Sequence, residues 1–235
     1  MPSLADQSVD QLGGPWSVLT RQKRDHVRLD RLLHELEGTE GSSQERVLHA
    51  IARLVFPHAF AEESVLWPEL RRVLPDGEEL TLQVEQEHQE VNEIWTRLES
   101  GELDAAERRA ALDRLVEVLR EDVRDEEDEL LPRLQEAVPA TRLRQLGVAW
   151  EVVRRTAPTR PHPVVARRPP GNALAALPLT VIDHGRDLVD AAARRAPDAT
   201  SARLRSASQA MARAAGRIEH VGVLRRGEHP STHRA

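Results

Sequence analysis

Six residues carry the chemistry of this 235-residue chain: His26, His58, Glu62, His88, Asp122 and Glu126. Their spacing repeats. Shifting residues 54–70 by 64 lays Glu62 on Glu126, Leu66 on Leu130, Pro68 on Pro132 and His58 on Asp122. Shifting the preceding helical segment by 62 lays His26 on His88 and Asp25 on Glu87. Each unit thus supplies one His, followed by a His-x-x-x-Glu or Asp-x-x-x-Glu pair. Side chains four apart share a helix face, so His58 points with Glu62 and Asp122 with Glu126. All four fall in the apolar stripe of their helices. Three carboxylates gathered there would repel one another or take up protons, unless a cation joined them. Imidazole and carboxylate donors suit iron, manganese or zinc. With no cysteine in the chain, disulfides, thiolate metal sites and cysteine nucleophiles are excluded.

Four amphipathic patterns must position these groups. Apolar residues recur at three- and four-residue steps over residues 16–37, 44–73, 78–99 and 104–136. Gly38–Ser43, Pro75-Asp76-Gly77 and Ser100-Gly101 read as the breaks between them. Pro68 and Pro132 are expected to kink or end the second and fourth helices. Long helices joined by short turns predict an all-α, up-down-up-down four-helix bundle with a C-terminal helical extension. The expected organisation is a disordered N-terminus over 1–14, the bundle over 15–138, a short helix and Pro/Arg-rich linker over 139–178, a helical segment over 179–220 and a flexible tail over 221–235. Within the last hundred residues, helices are expected near 141–155, 179–195 and 199–218.

The residues resemble the haemerythrin-like proteins of the HHE cation-binding type. That family has a His on helix one, His-x-x-x-Glu on helix two, a His on helix three and His-x-x-x-Glu on helix four. The matches are His26, His58 with Glu62, His88, and Asp122 with Glu126, over roughly residues 16–136. The resemblance implies a di-iron centre bridged by the two Glu carboxylates and an oxo or hydroxo group, with manganese or zinc as other metals the donors suit. It also implies a small diatomic or peroxide ligand, and roles in O2, peroxide or nitric oxide handling or in iron or redox sensing. Peroxide disproportionation and O2 reduction are the activities to test. Two departures matter. Asp122 replaces the usual His, and the added anionic oxygen should favour the ferric state and lower the reduction potential. Val84 stands where true haemerythrins carry a second His before the helix-three ligand.

A competing expectation is a metal-free, degenerate bundle serving as a protein-interaction module, motivated by the same change at Asp122. A ferritin-like oxidase is weaker, because that fold uses Glu-x-x-His pairs. No nucleophile-elbow motif supports a hydrolase.

The charge is unevenly spread. Residues 1–136 carry 16 Lys+Arg against 32 Asp+Glu, and the rest 17 against 7, a net −16 and +10. The basic part, including Arg167 and Arg168, is expected to lie across the acidic bundle. It has no aromatic beyond Trp150 for base stacking, so nucleic acid is not an expected partner; a homodimer or protein partner through this region is. Glu63 and the acidic run Glu127, Asp128 and Glu129 read as surface; Glu85, one turn before His88, has a place beside the site only as the lesser alternative. His34, His49, His162 and His184 read as lying off the metal cluster, and Trp16, Trp67, Trp95 and Trp150 as packing residues. No apolar run of ~18 residues is present, so no membrane span is expected. The N-terminus lacks a signal-peptide pattern, which makes the cytoplasm the default expectation.

Overall fold

A computed structural model describes residues 2–227 and 229–232. The fold is all-helical, and no strand occurs among the described residues. Helices α1 (Val18–Glu37), α2 (Gly41–Ala61), α3 (Trp67–Val73), α4 (Gly77–Ser100), α5 (Ala105–Asp125) and α6 (Leu131–Ala137) build the bundle. α2 runs into α3 through a π turn at Glu62–Leu66, and α5 into α6 through a second at Glu126–Leu130. Each of these pairs is therefore one long bundle helix. Beyond it lie α7 (Ala140–Arg155), α8 (Gly171–Ala193) and α9 (Asp198–Glu219).

Local signals set these limits. Ser17 caps α1, its hydroxyl accepting from the Leu19 N–H. Asp104 and Glu107 form a reciprocal capping box at the start of α5. Gly101 ends α4 at φ +73°, a conformation that favours glycine. The two prolines act otherwise than expected. Pro68 and Pro132 neither end nor interrupt their long helices. Proline lacks an N–H, and its ring would strike the carbonyl four residues back. Just before each, the N–H of Trp67 reaches the Glu62 carbonyl and that of Leu131 reaches the Glu126 carbonyl, five residues back. The widened turn accommodates the ring, and π turns of this kind cluster at functional sites.

Two apolar layers fill the bundle. One gathers Leu33, Ile51, Trp95, Leu115 and Leu119 toward the α1–α2 turn. The other gathers Leu19, Leu66, Trp67, Leu130 and Leu134 toward the opposite end, with Trp150 of α7 packed into it. Burying each such side chain contributes about 1.5–3 kcal/mol. His26, His58, His88 and the three carboxylates lie between the layers. α7 crosses the start of α1 so closely that a Cβ on Gly147 would lie 2.1 Å from the Trp16 carbonyl oxygen.

Three expectations are corrected. Residues 2–14 are packed: Leu4 and Leu12 are fully buried in the second layer, and Lys23 Nζ donates to the carbonyls of Ala5 and Gln7. Two leucines are enough to hold a short polar arm where a hydrophobic slot awaits them. α8 begins at Gly171, before the expected 179, and carries Pro178 inside it. Burial of Ala175 and Leu179 against Ala215 and Leu224 holds that turn despite the proline. Residues 221–227 dock on the strap between α7 and α8, where the Ala166 N–H donates to the Leu224 carbonyl and the Gly171 N–H to that of Arg226. Further along the expected tail, Gln86 Nε2 donates to Ser231 Oγ, while Glu228 and residues 233–235 lie outside the described residues. No described helix is long and apolar enough to cross a membrane.

The packed arm yields a test. Leu12→Ala should lower stability by roughly 2–5 kcal/mol in denaturant unfolding, as for other buried leucines. A change near zero would mean that the arm is detached.

Candidate metal centre

All six singled-out residues meet between the two layers. Two overlapping groups could hold a cation: His26, His58, Glu62 and Glu126, and His88, Asp122 and Glu126. Glu126 belongs to both. His26 comes from α1, His58 from α2, His88 from α4 and Asp122 from α5, while Glu62 and Glu126 open the two π turns. His58 Nε2 lies 2.9 Å from Glu62 Oε1, and His26 Nε2 lies 3.2 Å from Glu126 Oε2. His88 Nε2 lies 3.5 Å from Asp122 Oδ1 and 3.7 Å from Glu62 Oε2.

Proximity here is not hydrogen bonding. Both Glu62 oxygens, Glu126 Oε1, Asp122 Oδ1 and His26 Nε2 are buried without a hydrogen-bond partner. Orphaned buried polar atoms are rare, since each costs about 1–3 kcal/mol or more. Five of them converging on one point fit a cation that would satisfy all at once.

Outward from the centre, two imidazoles are held from behind by hydrogen bonds and the third faces a carboxylate. His26 Nδ1 donates to Glu127 Oε1 and His88 Nδ1 to Glu63 Oε1, both at 2.9 Å. His58 Nδ1 faces Asp25 Oδ2 at 3.6 Å. A carboxylate behind an imidazole fixes its orientation and tautomer and makes its inner nitrogen a better ligand. Trp150 meets the His58 ring edge-on at 5.3 Å, and Trp67 stacks near His88 at 6.3 Å.

Sequence reasoning missed these carboxylates. Glu63 and Glu127 were expected on the surface; Glu63 is buried, and Glu127 is half-buried. Each neighbours a candidate ligand within a π turn, which lowers the rotation per residue and lets two successive glutamates face inward. The repeat pairs Glu63 with Glu127, and that was the available signal. Asp25 pairs with Glu87 in the same repeat, but the Asp122 charge repels Glu87 where His58 attracts Asp25. Glu85 holds no imidazole; it binds Arg71 and Arg168. His34 is exposed, and neither His49 nor His184 joins the candidate metal groups. His162 is also outside them, buried between Asp183 and Glu219. Trp67, Trp95 and Trp150 pack in the core, but Trp16 is 62% exposed, with Arg21 over its ring.

Protons balance the site's charge in the metal-free chain. Burial works against charge on His26, yet Glu126 and Glu127 outweigh it and raise its pKa to about 9. Burial is likewise overcome at His58, which Glu62 and Asp25 raise to about 10. Burial, with repulsion from Glu62 and Asp122, pushes Glu126 up to about 8. Burial and the Asp122 and Asp125 charges push Glu87 up to about 7. Asp25 goes the other way: burial would raise it, but His58 and Arg154 hold it down to about 2.

An apolar cavity of about 20 Å³ adjoins the cluster, walled by Leu29, Leu54, Phe56, Val91 and Leu119 beside His26 and His88. It has room for one water-sized molecule.

Comparison with known proteins agrees with this geometry. Residues 17–134 match the Hemerythrin HHE cation binding domain family. A protein of Schizosaccharomyces pombe, named as hemerythrin-like, is 28% identical over 134 residues. That stretch is 57% of this chain and 66% of the yeast protein, just under two thirds of its length. No solved structure gives a significant match.

The pKa directions give a pH profile. His26 and His58 lie above their ordinary 6.5 in the folded chain, so their contribution is complete below 6.5 and disappears as pH rises through 9 and 10. Glu126, raised from 4.5 to about 8, acts in the same direction between those values. The thermal midpoint of metal-free protein should therefore fall as pH rises from 6.5 to 10. Metal uptake at pH 7 should also release about two protons or more per chain, read with an indicator dye in weak buffer. A flat profile together with no proton release would contradict this electrostatic picture.

Proposed function

Because the chain belongs to the hemerythrin HHE cation-binding family, we propose that it holds a non-haem di-iron centre and uses it to handle O2, peroxide or nitric oxide, or to sense iron or redox state. The observation that carries this reading is the convergence of orphaned, buried carboxylate and imidazole atoms on one point. His26, His58, Glu62, His88, Asp122 and Glu126 are the proposed ligands, with Glu126 shared between the two positions. Bound iron would supply a redox-active Lewis acid at that point.

The chain's own residues shape what that acid can meet. Glu127, Asp25 and Glu63 aim the three imidazoles inward. Leu29, Leu54, Phe56, Val91 and Leu119 line the small space beside the cluster. That size favours O2, nitric oxide or peroxide over any larger substrate. Asp122 adds an anionic oxygen where the family has a neutral imidazole, which lowers the reduction potential and works against reversible O2 carriage. Val84, buried beside Trp67 in the apolar layer, offers no ligand atom. Fewer protein ligands leave more room for an exogenous one.

Metal content per chain tests the proposal. Protein expressed with iron should carry about two irons and absorb in the near ultraviolet. It should also unfold at a higher temperature than after chelation. The His58→Ala/Glu62→Ala variant should retain little metal. Parent protein with no stoichiometric metal, and a melting temperature indifferent to chelator, would sink the proposal and favour a metal-free interaction module.

A further inference from the structure

The strap between α7 and α8, residues 156–170, brings an arginine to the back of the metal centre. Arg167 is 8% exposed. Its Nε and Nη2 donate to Gln89 Oε1 at 3.2 and 2.8 Å, which fixes the plane of the guanidinium. Its Nη1 lies 3.7 Å from Glu63 Oε1. That same oxygen accepts the hydrogen bond from His88 Nδ1. One carboxylate oxygen is thus shared between the imidazole it orients and a cation from outside the bundle.

The strap is held in place on both sides of Arg167. The backbone N–H groups of Thr159 and Arg160 donate to Asp183 Oδ2. His162 is clamped between Asp183 and Glu219, and its N–H donates to Asn92, whose own amide donates to the His88 carbonyl. Asn172 Nδ2 donates to the Arg167 carbonyl.

The three outer carboxylates are not treated alike. Asp25, behind His58, has Arg154 of α7 at 3.8 Å. Glu63, behind His88, has Arg167. For Glu127, behind His26, no Lys or Arg pairs with it among the described residues. Both of these arginines come from the basic part of the chain. The His88 half needs one most. It contains Asp122 where the repeat has His58, so it holds one more negative charge than its twin, and Glu63 is more deeply buried than Glu127.

Resting on the proposed metal centre, we propose that Arg167 is a positioning residue for the His88–Asp122 half: its guanidinium, set by Gln89, holds the Glu63 carboxylate where it accepts from His88 Nδ1, which fixes the imidazole and raises the affinity of that half for a divalent cation. The C-terminal part of the chain then sets the strength of one metal position and leaves the other alone. Arg168 provides the contrast. It sits on the same strap, yet pairs with Glu85 and Glu78, neither of which touches a proposed ligand.

Calorimetric titration of metal-free, full-length protein with zinc, a redox-inert probe, reads this directly. The parent should bind two equivalents. Arg167→Gln should weaken one of them about tenfold, as other losses behind a ligand imidazole do, and leave the other unchanged. Arg167→Lys, which keeps the charge but not the fork set by Gln89, should restore part of the loss. Glu63→Gln should weaken the same equivalent, with little further loss on adding Arg167→Gln, because the two act through one contact. Arg168→Gln should leave both equivalents intact. Helicity of each metal-free variant checks folding; if Arg167→Gln does not fold, the Glu63→Gln and Arg167→Lys pair decides.

Unchanged affinities in Arg167→Gln or Glu63→Gln would overturn the inference, as would equal weakening by Arg168→Gln, which would signal general loosening of the strap. His88→Ala separates the two levels. If it abolishes one equivalent while Arg167→Gln changes nothing, the metal centre stands and the role of Arg167 falls. No zinc binding by the parent overturns both.

Discussion

Three carboxylates, Glu62, Asp122 and Glu126, are buried between two apolar layers at the middle of the bundle, and the rest of the structure answers to that fact. Buried like charges destabilise a fold by several kcal/mol unless opposite charge is brought to them. Three imidazoles face these groups from α1, α2 and α4. In the metal-free chain they hold protons to well above neutrality, so hydrogen ions stand where metal ions would. Metal binding is then an exchange of cations in a place already shaped for positive charge. Folding and metal affinity become two aspects of one free energy.

The same requirement spreads outward. An imidazole bearing a proton on its outer nitrogen needs an acceptor there, which accounts for Glu127, Asp25 and Glu63. Those acceptors are themselves negative and mostly buried, so two of them need cations. Arg24 and Arg154 lie beside Asp25 and Arg167 beside Glu63, the last two reaching in from the basic part of the chain. Net −16 facing net +10 is therefore more than a surface attraction between two regions. Its exposed pairs, such as Arg168 with Glu78, contribute at most about 1 kcal/mol. The few pairs closed off from water, Arg167 beside Glu63 and Arg168 on Glu85, are where the asymmetry has structural weight.

The internal repeat builds a centre from two similar halves and then breaks their equivalence. Asp122 takes the place of an imidazole, so its charge repels Glu87 where His58 attracts Asp25. Trp150 covers His58, whereas Trp67 lies over His88. α7 closes one side of the bundle and the strap another. The two candidate groups thus have unequal donors and unequal outer charge, and their affinities for a cation should differ accordingly.

The amino-acid sequence by itself determined the bundle, its four long helical faces and the six residues that converge. Those features follow from periodicity and spacing along single helices, which are local properties. The HHE family membership was legible for the same reason, since its pattern is carried by spacing. What only the tertiary structure decided involves partners far apart in the chain. Leu4 and Leu12 look like part of a polar arm until the slot beside Trp67 and Trp150 exists. Glu63 and Glu127 look like surface residues under ordinary helical geometry, and turn inward only because a π turn forms ahead of Pro68 and Pro132. Arg167 is one arginine among many until the strap is pinned by His162, Asp183 and Glu219. Burial of charge depends on what surrounds it in three dimensions, and no one-dimensional pattern records that.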